Sequence, residues 1–127
     1  MARSQHRSQK KVSGGRYRPF RTKRKCELAG YSANTQLSTE ILVRSSRTLG
    51  GNIKNRIIST NHINVAGQKG KMTKTEILNV IENKANPNLV RRNIITKGAI
   101  VETKLGKVRV TSRPGQEGSI NGVLLAQ

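Results

Sequence analysis

The first 25 residues carry ten of the chain's 25 Lys and Arg side chains (Arg3, Arg7, Lys10, Lys11, Arg16, Arg18, Arg21, Lys23, Arg24, Lys25) and no acid. Their few hydrophobes, Met1, Ala2, Val12, Tyr17 and Phe20, are interrupted by Ser13, Gly14, Gly15 and Pro19, so no helical or strand period can be drawn. Such a stretch buries too little apolar surface to offset the entropy of ordering it, and it is expected to be disordered when free. Whatever core the chain builds must come from the rest. That rest is also short of acid: six Glu and no Asp in 127 residues leave a formal net charge of +19.

The charge excludes as much as it implies. No apolar run approaches the roughly 18 residues of a membrane span, and the N-terminal stretch lacks the apolar segment of a secretory signal. A mitochondrial transit peptide shares the Arg-rich, acid-poor composition but requires an amphipathic face that is missing here. A soluble cytosolic protein is expected. Cys26 is the single cysteine and His6 and His62 the only histidines, which is too few for a structural zinc site or a disulfide. Paired carboxylates for acid and base catalysis are equally scarce. A ribonuclease using His62 with a Lys or Glu is the one enzymatic arrangement available, and no spacing supports it. His62 reads as an exposed strand position, His6 as one more backbone contact and Cys26 as a small semi-buried residue. No catalytic residue, metal, cofactor or small-molecule substrate is expected; a polyanion is.

Beyond about residue 30 the texture changes to short β-branched runs broken by Gly, Asn and Pro, the pattern of an all-β domain. Residues 39–43 read as a strand, Gly50-Gly51 as a turn or bulge, and 53–65 as one half-exposed strand with Ile57, Ile63 and Val65 inward. Residues 66–74, with Gly67, Gly70, Lys69, Lys71 and Lys74, read as a flexible basic loop. Residues 75–82 fit a strand, although Ile77, Leu78 and Ile81 also fit one helical face. Residues 99–111 read as a β-hairpin in which Arg109 faces away from Val108 and Val110. Arg113-Pro114-Gly115 forms a tight turn, with Gly115 accepting a positive φ, and 120–125 is a final buried strand. About six short strands imply a small barrel or closed sandwich with a basic, extended N-terminal arm, the arm covering 1–29 and the β domain 30–127.

The arm is the strongest candidate for binding. Lys and Arg gain affinity for a phosphate backbone by releasing condensed counterions. Tyr17 and Phe20 between Arg16, Arg18 and Arg21 add stacking on unpaired bases. Gly14 and Gly15 permit a hinge or a close backbone approach. On the folded part, Lys69, Lys71 and Lys74 form one basic group, Arg91, Arg92 and Lys97 a second, and Lys104, Lys107, Arg109 and Arg113 a third. The four residues Gly67 to Gly70 have the spacing of the backbone clamp in KH domains, but that clamp joins two helices and the preceding residues read as strand.

The run Lys10-Lys11-Val12-Ser13-Gly14-Gly15, continuing Arg-Tyr-Arg-Pro-Phe-Arg-Thr-Lys-Arg-Lys to Cys26-Glu27-Leu28 and then Ala33-Asn34-Thr35, resembles the signature of the small-subunit ribosomal protein S8e family. Residues 74–83 and 93–102 look like the family's second half. The one departure is Glu27-Leu28-Ala29-Gly30, which adds a residue before the glycine. The resemblance implies a cytoplasmic, non-catalytic constituent of the small ribosomal subunit whose partners are small-subunit rRNA and neighbouring ribosomal proteins. Lacking the central insertion of the eukaryotic members, the chain is similar to the archaeal form. Gly14, Gly15, Arg16, Arg18, Arg21, Lys23, Arg24 and Lys25 fall on the family's basic, RNA-penetrating segment. The alternative, an RNA-binding factor or RNA chaperone acting off the ribosome, calls for an aromatic face on the sheet, and no aromatic residue follows Tyr31. A DNA-binding chromatin protein would need a recognition helix, and none can be drawn.

Overall fold

The computed structural model describes residues 8–67 and 70–125. The chain divides into two units, Met1–Ser32 and Ala33–Gln127. In the first, the backbone folds back on itself around Gly14. Lys10 and Arg16 form an antiparallel bridge, Lys11 N–H donates to the Gly15 carbonyl at 2.7 Å, and Tyr17 N–H donates to the Gln9 carbonyl at 2.7 Å. Gly14 makes that turn at φ +85°, a conformation a side chain would strain. A single 3-10 turn follows at Lys25–Glu27, and no residue from 8 to 32 is buried.

The second unit is built from strands. β1 (Leu42–Arg47) and β2 (Ile53–Ser59) pair as an antiparallel hairpin, while β3 (His62–Ala66), β4 (Met72–Glu82), β5 (Ile100–Thr103), β6 (Gly106–Val110) and β7 (Asn121–Leu124) close into a barrel in sequence order. Closure is parallel, with β7 lying beside β3, and it removes the free edges an open sheet would expose. Inside are Ile63, Val65, Ile77, Val80, Ile95, Val101, Val108, Val110 and Ile120, joined by Ile57 from the foot of β2. Every one is β-branched, a shape that packs well on a pleated surface and compensates for the absence of buried aromatics.

Closure depends on Gly122. It stands opposite Val65 on one side and Val110 on the other. A Cβ there would lie 2.5 Å from Val108 Cγ1 and 2.9 Å from the Arg109 carbonyl. Neither neighbour has room to yield, so the strand that seals the barrel must carry a glycine where backbones approach this closely.

Several sequence expectations need correction. The run 53–65 is two strands, because the chain breaks at Thr60-Asn61: Ile57 ends in the core on the hairpin and Ile63 begins the barrel. The first strand lies at Leu42–Arg47, later than 39–43. β4 begins at Met72, which puts Lys74 on a strand rather than in the loop. Within β4 the pairing with β5 shifts between Ile77 and Asn79, and the Asn79 side chain accepts from Val80 N–H at 2.9 Å. That bulge inserts one residue, so Ile77 and Val80 both face inward at a spacing of three, and Leu78 and Ile81 are left exposed. The helix-like spacing in the sequence is the trace of this bulge. Gly115 does not adopt a positive φ; an added Cβ would sit 3.3 Å from Ala33 Cβ, so close packing is what glycine serves there. β7 is not buried throughout, since Val123 is exposed. His62 is half-buried and Cys26 exposed. The connection 67–71 joins two strands, which excludes the KH arrangement.

Candidate nucleic-acid interface

In the N-terminal unit the cations stand on a backbone that turns twice within 20 residues, so side chains well separated in sequence project from one small segment. Lys11 lies with its ammonium 5.4 Å from the centre of the Tyr17 ring, and the Arg21 guanidinium lies 5.2 Å from that of Phe20. Both are within the range of cation–π attraction. Phe20 is 92% exposed and Tyr31 84% exposed, an unusual surplus of ring surface left to solvent in a unit with no core.

Arg21 differs from its neighbours. Its guanidinium donates to both carboxylate oxygens of Glu27, one bond measuring 3.0 Å, and Glu27 also accepts the Arg24 N–H at 3.2 Å. The hydrogen bond to Glu27 raises the Arg21 pKa above its ordinary value, partial desolvation opposing it and the carboxylate's charge adding to it. Arg21 is thereby tied to the 3-10 turn that holds Cys26, so its charge is largely spent inside the unit. By contrast Lys10, Arg16, Arg18, Lys23, Arg24 and Lys25 are exposed and hold no carboxylate among the described residues. Glu27 is the only acid in the segment. Of the remaining candidates there, Arg3, Arg7 and His6 lie outside the described residues.

On the β unit the anticipated groups separate. Arg91 and Arg92 occupy the last turn of a 3-10 helix, Pro87–Arg92, whose start is capped by the Asn86 side chain accepting from Asn88 N–H at 3.0 Å. The helix is anchored by the buried Ile94 and Ile95 that follow it, so the two exposed arginines stand on a fixed base. Lys71 and Lys74 are exposed at the entrance to β4; Lys69 lies outside the described residues. Arg109 faces outward between the buried Val108 and Val110, as strand alternation requires. Lys104 is an exception, since its ammonium is 2.5 Å from a Glu76 carboxylate oxygen and holds that carboxyl below its usual pKa, chiefly through the hydrogen bond. Arg113 is exposed on the loop whose Pro114 carbonyl accepts the Ile57 N–H at 3.0 Å.

One basic group escaped the sequence reading. Arg44, Arg47, Lys54 and Arg56 all lie on the β1–β2 hairpin, and no acid occurs between residues 41 and 59. The signal was present as Arg44-x-Ser46 and Lys54-x-Arg56 flanking Gly50-Gly51. It becomes legible only once the two runs are paired across that turn.

The arrangement is defined by its charge and its rings. Among the described residues no three His, Cys, Asp or Glu side chains gather to hold a metal ion, and no helix is long and apolar enough to cross a membrane. What it offers is one sign of charge presented from rigid and extended supports, with rings only on the N-terminal unit. A family model described as Ribosomal protein S8e matches residues 4–125. Similar proteins include the small ribosomal subunit protein eS8 of Methanobrevibacter smithii, 50% identical over 126 residues that cover 98% of this chain and 100% of the relative. The protein of that name from Methanococcus aeolicus is 44% identical over 95% of each chain, and the one from Sulfurisphaera tokodaii 45% identical over 93% of each. A basic unit without a core, a small β-barrel and likeness along almost its whole length agree: the chain belongs to the ribosomal protein S8e family.

Proposed function

We propose that the N-terminal unit and the basic loops of the barrel hold small-subunit rRNA segments together, the barrel serving as a rigid dock and the N-terminal residues as the part that enters the RNA. As a member of its family the chain is a structural, non-enzymatic protein of the small ribosomal subunit and works in the cytoplasmic ribosome. Its partners are in general rRNA and other ribosomal proteins. The observation that carries the finer reading is the composition of residues 8–32: exposed cations, exposed rings, one carboxylate already committed to Arg21, and nothing buried.

Such a segment gains little by folding on itself and much by neutralising phosphates, each contact adding about 0.7–0.9 to the salt dependence of binding. Lys10, Lys11, Arg16, Arg18, Lys23, Arg24 and Lys25 supply those contacts, with Arg3 and Arg7 ahead of them. Gly14 and Gly15 let the backbone come close, and Tyr17 and Phe20 stack on unpaired bases. Lys69, Lys71, Lys74, Arg91, Arg92 and Arg113 neutralise phosphates around the barrel. Arg21 acts chiefly by fixing the turn at Glu27. Ultraviolet crosslinking of intact small subunits, followed by mass spectrometry, tests the reading. Nucleotides attached to the peptide bearing Tyr17 and Phe20 are expected. Crosslinks confined to other proteins, with none to rRNA from this peptide, would overturn it.

A further inference from the structure

Opposite residues in an antiparallel pair share a face, so the register of the β1–β2 hairpin sorts its side chains into two sets. Arg44 faces Arg56 and Ser46 faces Lys54 on one side; Val43 faces Ile57, Ser45 faces Asn55 and Arg47 faces Ile53 on the other. The second side runs down into the core through Ile57. The first is a cationic face with two arginines directly opposed and a lysine one side-chain repeat along.

Within the protein this face is a cost. Like charges opposed across strands repel, and their Cβ atoms stand only about 5 Å apart. No carboxylate among the described residues relieves them. Lys54 Nζ donates to Gln116 Oε1 at 3.1 Å, a neutral acceptor that leaves the charge in place. Arg56 is half-buried, and its Nε is buried without a hydrogen-bond acceptor, so part of its donor capacity goes unused. A chain whose hairpin served only to shield the barrel would lose nothing with Thr or Glu at one of these positions.

We infer that the face made by Arg44, Arg56, Lys54 and Ser46 is a further phosphate-binding surface, seated on the sugar–phosphate backbone of rRNA. The inference rests on the reading of the chain as an rRNA-binding protein. A polyanion converts the opposed arginines from a repulsive pair into two donors on neighbouring phosphates, and charge-assisted hydrogen bonds of this kind are the strong ones. The hairpin carries no aromatic ring, so it reads backbone and shape, not bases. It is also continuous with an interface already proposed: Pro114 and Gln116, on the loop that begins at Arg113, bond to Ile57 and Lys54 of β2.

The test uses the full-length chain, deproteinised small-subunit rRNA as the probe, and two readouts: thermal unfolding of the free protein and the dissociation constant as a function of salt. Arg44→Thr is expected to leave the melting temperature unchanged or raise it, because a repulsion is removed and Thr favours strand. It is expected to weaken rRNA binding about tenfold and to reduce the salt slope by about 0.7–0.9. Lys54→Gln, a second variant that leaves the arginine pair untouched, should shift affinity and slope in the same direction. The inference is overturned if both variants bind as tightly as the parent with the same slope while alanine at Arg16, Arg18, Lys23 and Arg24 weakens binding. If even the N-terminal substitutions leave affinity and slope unchanged, the rRNA reading itself fails, and the hairpin inference with it.

Discussion

Residues 8–32 and the barrel carry charge of the same sign for opposite structural reasons. On the barrel the supports are rigid: Arg109 faces outward between the inward Val108 and Val110, so the core fixes where that charge points. In residues 8–32 no side chain is buried, and the cations are positioned only by backbone turns at Gly14 and Glu27 and by local contacts such as Arg21 with Glu27 and Lys11 with Tyr17. The rings sit only in the second kind of region. Rigidity suits docking on phosphates whose geometry is already set. A segment held by a few hydrogen bonds can instead adapt to crevices and stack on bases, at the cost of ordering itself on arrival.

The strongest way to break this comparison is to remove charge from the coreless unit. Alanine at Arg16, Arg18, Lys23, Arg24 and Lys25 is expected to lower the salt slope of rRNA binding by about 3.5–4.5 and cost several orders of magnitude in affinity. The unfolding transition of the barrel should stay where it was. A fall in melting temperature comparable to that of a core variant would show that the two regions are not separable.

The converse substitution attacks the barrel. Gly122→Val is expected to cost about 3 kcal/mol or more, because Val108 and the Arg109 carbonyl leave no space for a side chain. Urea unfolding would register it as a lower midpoint. An unchanged midpoint would mean that β7 does not seal the barrel as described.

Much of this was readable from the chain, and most of the failures share a cause. Alternation around Arg109, the turn at Gly50-Gly51 and the coreless basic character of residues 8–25 are local patterns, and they survive in the structure. What was lost depends on pairing between distant residues. The bulge at Asn79 hides the period of β4; the break at Thr60-Asn61 is set by the choice of Ile57 for the hairpin and Ile63 for the barrel. The Arg44–Arg56 juxtaposition exists only in the register. Gly122 stood in an apolar run with no hint of which backbones would press on it. Cys26, which reads as semi-buried, is exposed, because nothing in residues 8–32 is buried.

Two smaller effects sharpen the division further. Phe20→Ala should weaken rRNA binding by about 1–3 kcal/mol through lost base stacking and leave the salt slope unaltered, a combination no charge variant produces. Smallest is Glu76→Gln on the barrel. Lys104 depresses the folded pKa of Glu76, so the pair stabilises above the unfolded pKa of about 4.3, and that contribution is lost as pH falls through the folded value. Melting curves of parent and variant should differ slightly at neutral pH and converge in acid, the exposed pair being weakened by solvent and salt.

The central claim, that a coreless basic segment acquires its order on RNA while the barrel brings its order with it, is tested most directly by amide hydrogen exchange of the full-length protein alone and bound to small-subunit rRNA. The account predicts fast exchange throughout 8–32 in the free chain, strong protection there on binding, and slow exchange in β3 to β7 in both states. Protection of 8–32 in the free protein that does not increase on rRNA would contradict it.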